Sequence, residues 1–285
     1  MRFSLYFFFL LLSQWLYAQT KESWEFLYQK ETESYRQGHY NEAIVWGEKA
    51  VEAVGEDLGQ NHPIYATLLN NLALSYKNIG RYKEAESLYQ QALQIIKAQL
   101  GEDHPSYAGS LIALGSLYTA TGQYDNSEKY LNKGLAIDQL VLSKEHPYLG
   151  INHSYLAELY LKLNRFGDAE YHIKTSLSIL ESGLGKAHPR YDSALFNKAI
   201  YLQKQNKFDE AETLLITVLD KRAQTFSKNH PDYAYALGQV ASLHQQTNNQ
   251  EKAITTYITA NNILLPLVGE GYPRYLENLY ALGGL

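Results

Sequence analysis

Histidine is the side chain in this sequence best suited to acid–base or metal chemistry, and five of the nine stand in one dipeptide: His62-Pro63, His104-Pro105, His146-Pro147, His188-Pro189 and His230-Pro231. Each is 42 residues from the next, so they belong to successive copies of one unit. Copies built of packed helices lie about 10 Å apart, too far for their imidazoles to share an ion held at about 2 Å. His39, His153, His172 and His244 show no ligand spacing with one another or with an acid. Gly183-Leu184-Gly185-Lys186 has the glycines and lysine of a phosphate loop without its full spacing or a preceding strand, and Gly185 shares its repeat position with Gly59, Gly101 and Gly269, the turn between units. Asn152-His153-Ser154 has the form of a glycosylation acceptor but falls within a helix. Cysteine is absent, which excludes disulfides, thiolate metal sites, a Cys nucleophile and a lipid-modified N-terminal Cys. Every candidate Ser-His-Asp set would borrow residues the repeat already explains. The sequence therefore predicts no enzyme, no cofactor and no metal.

With 45% hydrophobic residues among 285, the chain can bury a large core. Its net charge of −5, with the two signs interspersed, offers no basic stripe for phosphates, which argues against nucleic acid as a partner. Arg2 precedes the apolar run Phe3–Leu12, too short to span a membrane comfortably, and Ala18 supplies a small residue for cleavage. Residues 1–18 thus read as a signal peptide, with an uncleaved N-terminal anchor as the alternative, and the body 19–285 as exported to the periplasm or beyond. Removing them leaves 24 basic against 30 acidic residues. The 25 tyrosines against a single Met point to one tyrosine-bearing template copied several times.

The elements that carry these residues follow from the same period. Three residues after each His stand Tyr65, Tyr107, Leu149, Tyr191 and Tyr233, and Tyr272-Pro273 with Tyr275 opens a further unit. Units fall near 20–61, 62–103, 104–145, 146–187, 188–229 and 230–271, with a partial seventh at 272–285. Leu69, Leu72, Ala73 and Tyr76, then Ala85, Leu88, Tyr89, Ala92, Leu93 and Ile96, recur at helical spacing, so each unit is two amphipathic helices. Gly38, Gly80, Gly122, Asn164, Asn206 and Asn248 separate the two, the residue types that tolerate a left-handed helix end. Each Pro fits the first turn of a helix, where a missing N–H costs nothing. Small residues at Ala73, Gly115, Ala157, Ala199 and Ala241 and at Ala85, Ser127, Ala169, Ala211 and Ala253 let the paired helices approach, and Tyr40, Tyr82, Tyr124, Phe166 and Phe208 supply rings to wedge beside them. Recurring Glu86, Glu128, Glu170 and Glu212 read as a solvated or intra-repeat pairing face. One such unit cannot bury both faces alone; six stacked units can, giving an all-α, right-handed superhelical solenoid.

This pattern of small residues and aromatics resembles the tetratricopeptide repeat. The segment Gly101-Glu102-Asp103-His104-Pro105-Ser106-Tyr107-Ala108, with Gly122-Gln123-Tyr124 and Tyr130-Leu131, resembles the 42-residue kinesin-light-chain type, and the likeness covers nearly all of the chain after residue 18. It implies a helical array whose first helices line a concave groove for peptides or protein segments, without implying a kinesin function. Relatives of this type often form the amino-terminal part of longer proteins, some with caspase-like peptidase domains, whose Cys is missing here.

In such repeats the groove-facing positions lie five, eight, twelve, fifteen and sixteen residues after the His. That register nominates Asn70, Lys77 and Asn78 in the second unit, Ser154, Glu158 and Lys162 in the fourth, Phe196, Gln203 and Lys204 in the fifth, Gln245 in the sixth and Arg36 in the first. Amides such as Asn70, Asn78, Gln203 and Gln245 suit a peptide backbone, and the row Arg36, Lys77, Lys162 and Lys204 suits a carboxylate. Phe196, with Ile200, reads as an exposed apolar anchor. The expected function is a non-catalytic scaffold for a protein or peptide; the alternative is a sensory or regulatory segment of a signalling or caspase-like peptidase system. In the partial seventh unit, Leu279 and Leu282 are placed to face a second helix and so to lie partly exposed, from which self-association through the last helix, or descent from a longer chain, is expected.

Overall fold

The computed structural model describes residues 22–285, so the expected signal segment lies outside the described residues. These form thirteen helices and no strand: α1 (Trp24–Arg36), α2 (Tyr40–Asp57), α3 (Pro63–Asn78), α4 (Tyr82–Leu100), α5 (Pro105–Ala120), α6 (Tyr124–Val141), α7 (Pro147–Lys162), α8 (Phe166–Leu184), α9 (Pro189–Lys204), α10 (Phe208–Thr225), α11 (Pro231–Gln246), α12 (Gln250–Val268) and α13 (Pro273–Gly283). The odd-numbered helix of each unit packs on the even-numbered one that follows, and each pair on the next.

The His-Pro dipeptide builds the start of every first helix from the second unit to the sixth. Pro occupies the first turn, and the His Nδ1 accepts the backbone N–H two residues on, at 3.0–3.2 Å. This is an N-cap made by imidazole instead of hydroxyl or carboxylate. Such an acceptor places the ring proton on Nε2. The first unit substitutes Ser23, whose hydroxyl caps Phe26 N–H at 3.3 Å.

Between paired helices the chain takes positive φ at Gly38, Gly80, Gly122, Asn164, Asn206 and Asn248, as the residue types predict. The small positions are buried throughout, and a Cβ on Gly115 would sit 2.8 Å from Leu131 Cγ, so only Gly fits there. The recurring glutamates pair within their unit and between units: Glu170 pairs with Lys174 at 2.7 Å and Glu86 accepts from Gln90 at 3.2 Å, while the Tyr118 and Tyr160 hydroxyls donate at 2.9 Å to Glu86 and Glu128 of the preceding unit.

The first unit breaks the template at one matched pair. Glu31 stands where the second, fourth, fifth and sixth units have Ala and the third has Gly115, and Gly47 faces it where those units have Tyr89, Leu131, Ile173, Leu215 or Tyr257. The carboxyl fills the space the large side chain vacates; a Cβ on Gly47 would lie 3.5 Å from Glu31 Cδ.

Units five apart touch. A Cβ on Gly38 would meet Pro231 and would lie 3.1 Å from His230 Cδ2, and one on Gly80 would lie 3.0 Å from Pro273 Cγ. Tyr40 of the first unit is buried in one cluster with Ala234, Leu264, Val268 and Tyr272, with Tyr35 and Ile79 packed against it. The array therefore winds back so that its first unit rests on the sixth and its second on the seventh.

Candidate functional site

The concave wall of the fourth to seventh units encloses a cavity of about 420 Å³, within the range of ligand-binding clefts. Ile151, Ser154, Tyr155, Glu158, Leu161 and Lys162 come from α7, Arg190, Ser193, Phe196, Asn197, Ile200 and Lys204 from α9, Asp232, Tyr235 and Gln239 from α11, and Arg274 and Glu277 from α13; Arg222 reaches in from α10. The first helices supply nearly every wall residue because successive copies present the same face inward.

Two of the five cations are neutralised in place. Arg222 pairs with buried Asp192 at 2.9 Å, donates to the Asp232 carbonyl at 2.7 Å and lies 4.5 Å over the Phe196 ring. Arg274 pairs with Glu277 at 2.9 Å and lies 4.0 Å over Tyr235. The other three, Lys162, Arg190 and Lys204, carry no ion pair among the described residues. Lys204 donates to the Asn164 side-chain oxygen at 2.9 Å, and its ammonium is held below the usual lysine range by withdrawal from water and then by Lys162. Two like charges side by side in a half-enclosed space repel one another, and Glu158 and Asp232 of the same wall offset them without an ion pair.

A smaller cavity of about 150 Å³ continues the concave surface past Lys77, Asn78, Tyr82, Thr119 and Tyr124. Glu158, Lys162, Arg274 and Glu277 line both spaces, so these four side chains form the partition between them.

Of the residues nominated from sequence, Ser154, Glu158, Lys162, Phe196 and Lys204 meet in the larger cavity and Lys77 and Asn78 in the smaller. Phe196 is no exposed anchor: it is 4% exposed, with Arg222 over its ring and Tyr235 packed against it. Amides were expected to meet a peptide backbone, but several serve the solenoid. Asn70 donates to Ser110 at 3.0 Å, Asn78 to the Tyr35 hydroxyl at 2.8 Å and Gln203 to Ser242 at 3.3 Å, each bridging adjacent units, while Gln245 accepts from Tyr257 at 3.4 Å. Lys77 also bridges, to Ser116 at 2.9 Å. Arg36 lies at the helix end, paired with Glu33. The five-residue register missed Arg190, Asp232 and Arg274, two residues after the His position, and Tyr155, Asn197 and Gln239, nine after it. Both offsets lie on the flank of the same helical face, a signal that a wider stripe would have caught.

Among the described residues no group of three or more His, Asp or Glu could hold a metal. One pairing escaped the sequence: His153 and His172 meet Nδ1 to Nδ1 at 2.7 Å, flanked by Tyr160 and Tyr171. One ring must donate and the other accept, so both cannot be charged. Burial, and then His172, pushes the His153 imidazole down to about 4.

The sequence matches the tetratricopeptide repeat over residues 32–98, 66–139, 108–182 and 190–264. The chain belongs to that family. A search of curated proteins returned no match. Among solved structures, the chain is similar to a kinesin-light-chain protein of nearly identical repeats from Podosopora anserina, with 25% identity, a TM-score of 0.50 and coverage of 72% of this chain and 97% of that one. It shares its fold with a Rap protein complexed with competence and sporulation factor (15%, 0.65, 92% and 74%). It shares it also with the apo form of the quorum sensor NprR from B. thuringiensis (18%, 0.53, 90% and 75%). The architecture is that of a protein-interaction scaffold, and no catalytic family is indicated.

Proposed function

We propose that this tetratricopeptide-repeat chain is a non-catalytic scaffold that holds a peptide or protein segment bearing an acidic group in its concave cavity. The observation that carries this reading is the set Lys162, Arg190 and Lys204: three cations lining one half-enclosed space, none in an ion pair among the described residues. Ile151, Ile200 and the ring of Tyr155 lie beside them as apolar surface, and Ser154 and Gln239 offer hydrogen bonds to a backbone. Held charges of this kind favour a ligand that completes them, and apolar surface in the same space adds area-dependent affinity.

Export of the body, with cleavage after Ala18, belongs to the same proposal and is motivated by the apolar run behind Arg2; mass analysis of secreted material should find Gln19 as the first residue, and an intact Met1 would favour an anchor. Capture from native envelope with wild type and with Lys162→Glu plus Lys204→Glu tests the cavity. A client retained by wild type and lost by the variant supports it, and equal retention by both contradicts it. A regulatory role is the second reading, favoured by the fold shared with the Rap complex and the quorum sensor, whose own ligand and signalling role are those proteins'; a signalling partner in the capture would select it. Self-association through α13 is proposed on its exposed Leu276, Leu279 and Tyr280, the last 88% exposed, with Leu282 half-buried. Light scattering of wild type against Leu279→Glu with Leu282→Glu tests it, a strictly monomeric wild type being the contrary result.

A further inference from the structure

The departure of the first unit from its template carries a consequence separate from anything the cavity binds. Glu31 is 2% exposed, and its Oε2 has no hydrogen-bond partner. It sits between α1 and α2 at a position where small residues in the other units let the paired helices touch, and Gly47 opposite gives it room. The cations of this unit are engaged elsewhere: Lys30 lies over Phe26, Lys49 over Trp46, and Arg36 pairs with Glu33. On the packed helices, Glu48 of α2 and Tyr76 of α3 are bonded to each other, and neither brings positive charge. Between positions 22 and 61 the sequence has eight acidic residues besides Glu31 against three basic ones, so the surroundings oppose one more negative charge.

The same unit closes the array. Its turn at Gly38 presses on Pro231 and His230, and Tyr35 and Tyr40 pack with the sixth and seventh units. Those units also supply Tyr235, Arg274 and Glu277 to the cavity wall.

We propose that Glu31 is a proton-operated latch: while its carboxyl keeps its proton, α1 and α2 stay packed and the first unit holds the ring shut, and loss of the proton leaves an unpaired carboxylate between them that frees the first unit from the sixth. Burial alone pushes this carboxyl up to about 8. A group whose proton is held more tightly in the folded state contributes stability that is present at lower pH and lost as pH rises through the folded value. The latch therefore opens on the alkaline side of neutrality and is shut in acid.

The chain carries its own reporter. Its three tryptophans are Trp15, Trp24 and Trp46, and the latter two are half-buried in α1 and α2, so no tryptophan lies beyond the first unit. Tryptophan emission of the full chain, excited so that tyrosine is silent, is followed from pH 6 to 9.5 beside small-angle scattering. Wild type should show a red shift with a midpoint near pH 8 and a parallel rise in radius of gyration. Glu31→Gln should hold the low-pH emission throughout, and so should Glu31→Ala, which installs the residue most other units carry and covers a failure of the Gln variant to fold. A wild type without a step between pH 7 and 9.5, or a step that persists in both variants, overturns the latch.

Discussion

The first and fourth units share one 42-residue template and put it to different uses. In the fourth, Ala157 is buried in one cluster with Ile173 and the turn at Asn164 is open to solvent, where it receives Lys204 from the next unit. Its first helix, α7, faces inward as a cavity wall through Ser154, Glu158 and Lys162. In the first, Glu31 and Gly47 replace the small–large pair, the turn at Gly38 is pressed against the sixth unit, and Tyr40 is fully buried there. One unit is a wall and the other a clasp. The difference arises from a few positions, since the repeat fixes helix pairing in both and leaves the faces that pairing does not use free to diverge.

The clasp is the more sensitive region, and a matched pair of substitutions isolates it. Gly38 and Gly122 hold almost the same backbone, φ 79° and 76°, but nothing lies within 4 Å of a Cβ at Gly122. Gly122→Ala should cost about 1 kcal/mol of left-handed strain, and Gly38→Ala should cost roughly 2 kcal/mol more for the collision with Pro231 and His230. Urea unfolding reads both; equal losses would mean that the ends of the array do not touch in solution.

A comparable effect separates the fourth unit in acid. Because His153 is held well below its ordinary value, its contribution is present above pH 6.5 and lost as pH falls toward about 4, a loss of roughly 3 kcal/mol by linkage. Unfolding free energies at pH 7 and pH 4.5 should therefore differ more for wild type than for His153→Asn; an identical difference would remove the pair from the acid limb. The smallest effect lies at the turns between units. Ser227 takes φ 91° where Gly59, Gly101, Gly185 and Gly269 stand in other units, so Ser227→Gly should raise stability by about 1 kcal/mol. A melting temperature unchanged or lowered would show that the Ser227 hydroxyl bond to Asn229 N–H outweighs the strain.

The wall was far more legible in the sequence than the clasp. Helix starts, turns and interhelix small positions follow from local chemistry repeated every 42 residues: Pro at a first turn, Gly or Asn at positive φ, Ala where backbones meet. The concave register brought out Ser154, Glu158, Lys162, Phe196 and Lys204 for the same reason. Contact between units five apart depends on the small rotation that each unit adds to the last, which no single position encodes. Gly38 against Pro231, Gly80 against Pro273 and Tyr40 among Ala234 and Leu264 could not be read for that reason. His153 and His172 escaped because they pair across two helices at a spacing that is not repeated in the other units. The bridging roles of Asn70 and Gln203 escaped because a polar side chain on a groove-facing helix can as well turn sideways to the next unit.

In the proposed function it is the cavity cations, and not surface charge in general, that recognise the partner. The affinity of a captured segment, measured by calorimetry, should fall at least tenfold in Lys162→Glu with Lys204→Glu while the melting temperature stays within a change of about 0.5 kcal/mol in stability. It should be unchanged when two exposed lysines outside the cavity are reversed, Lys129→Glu with Lys252→Glu. Equal losses in the two variants, or undiminished binding by the cavity variant, would contradict the account.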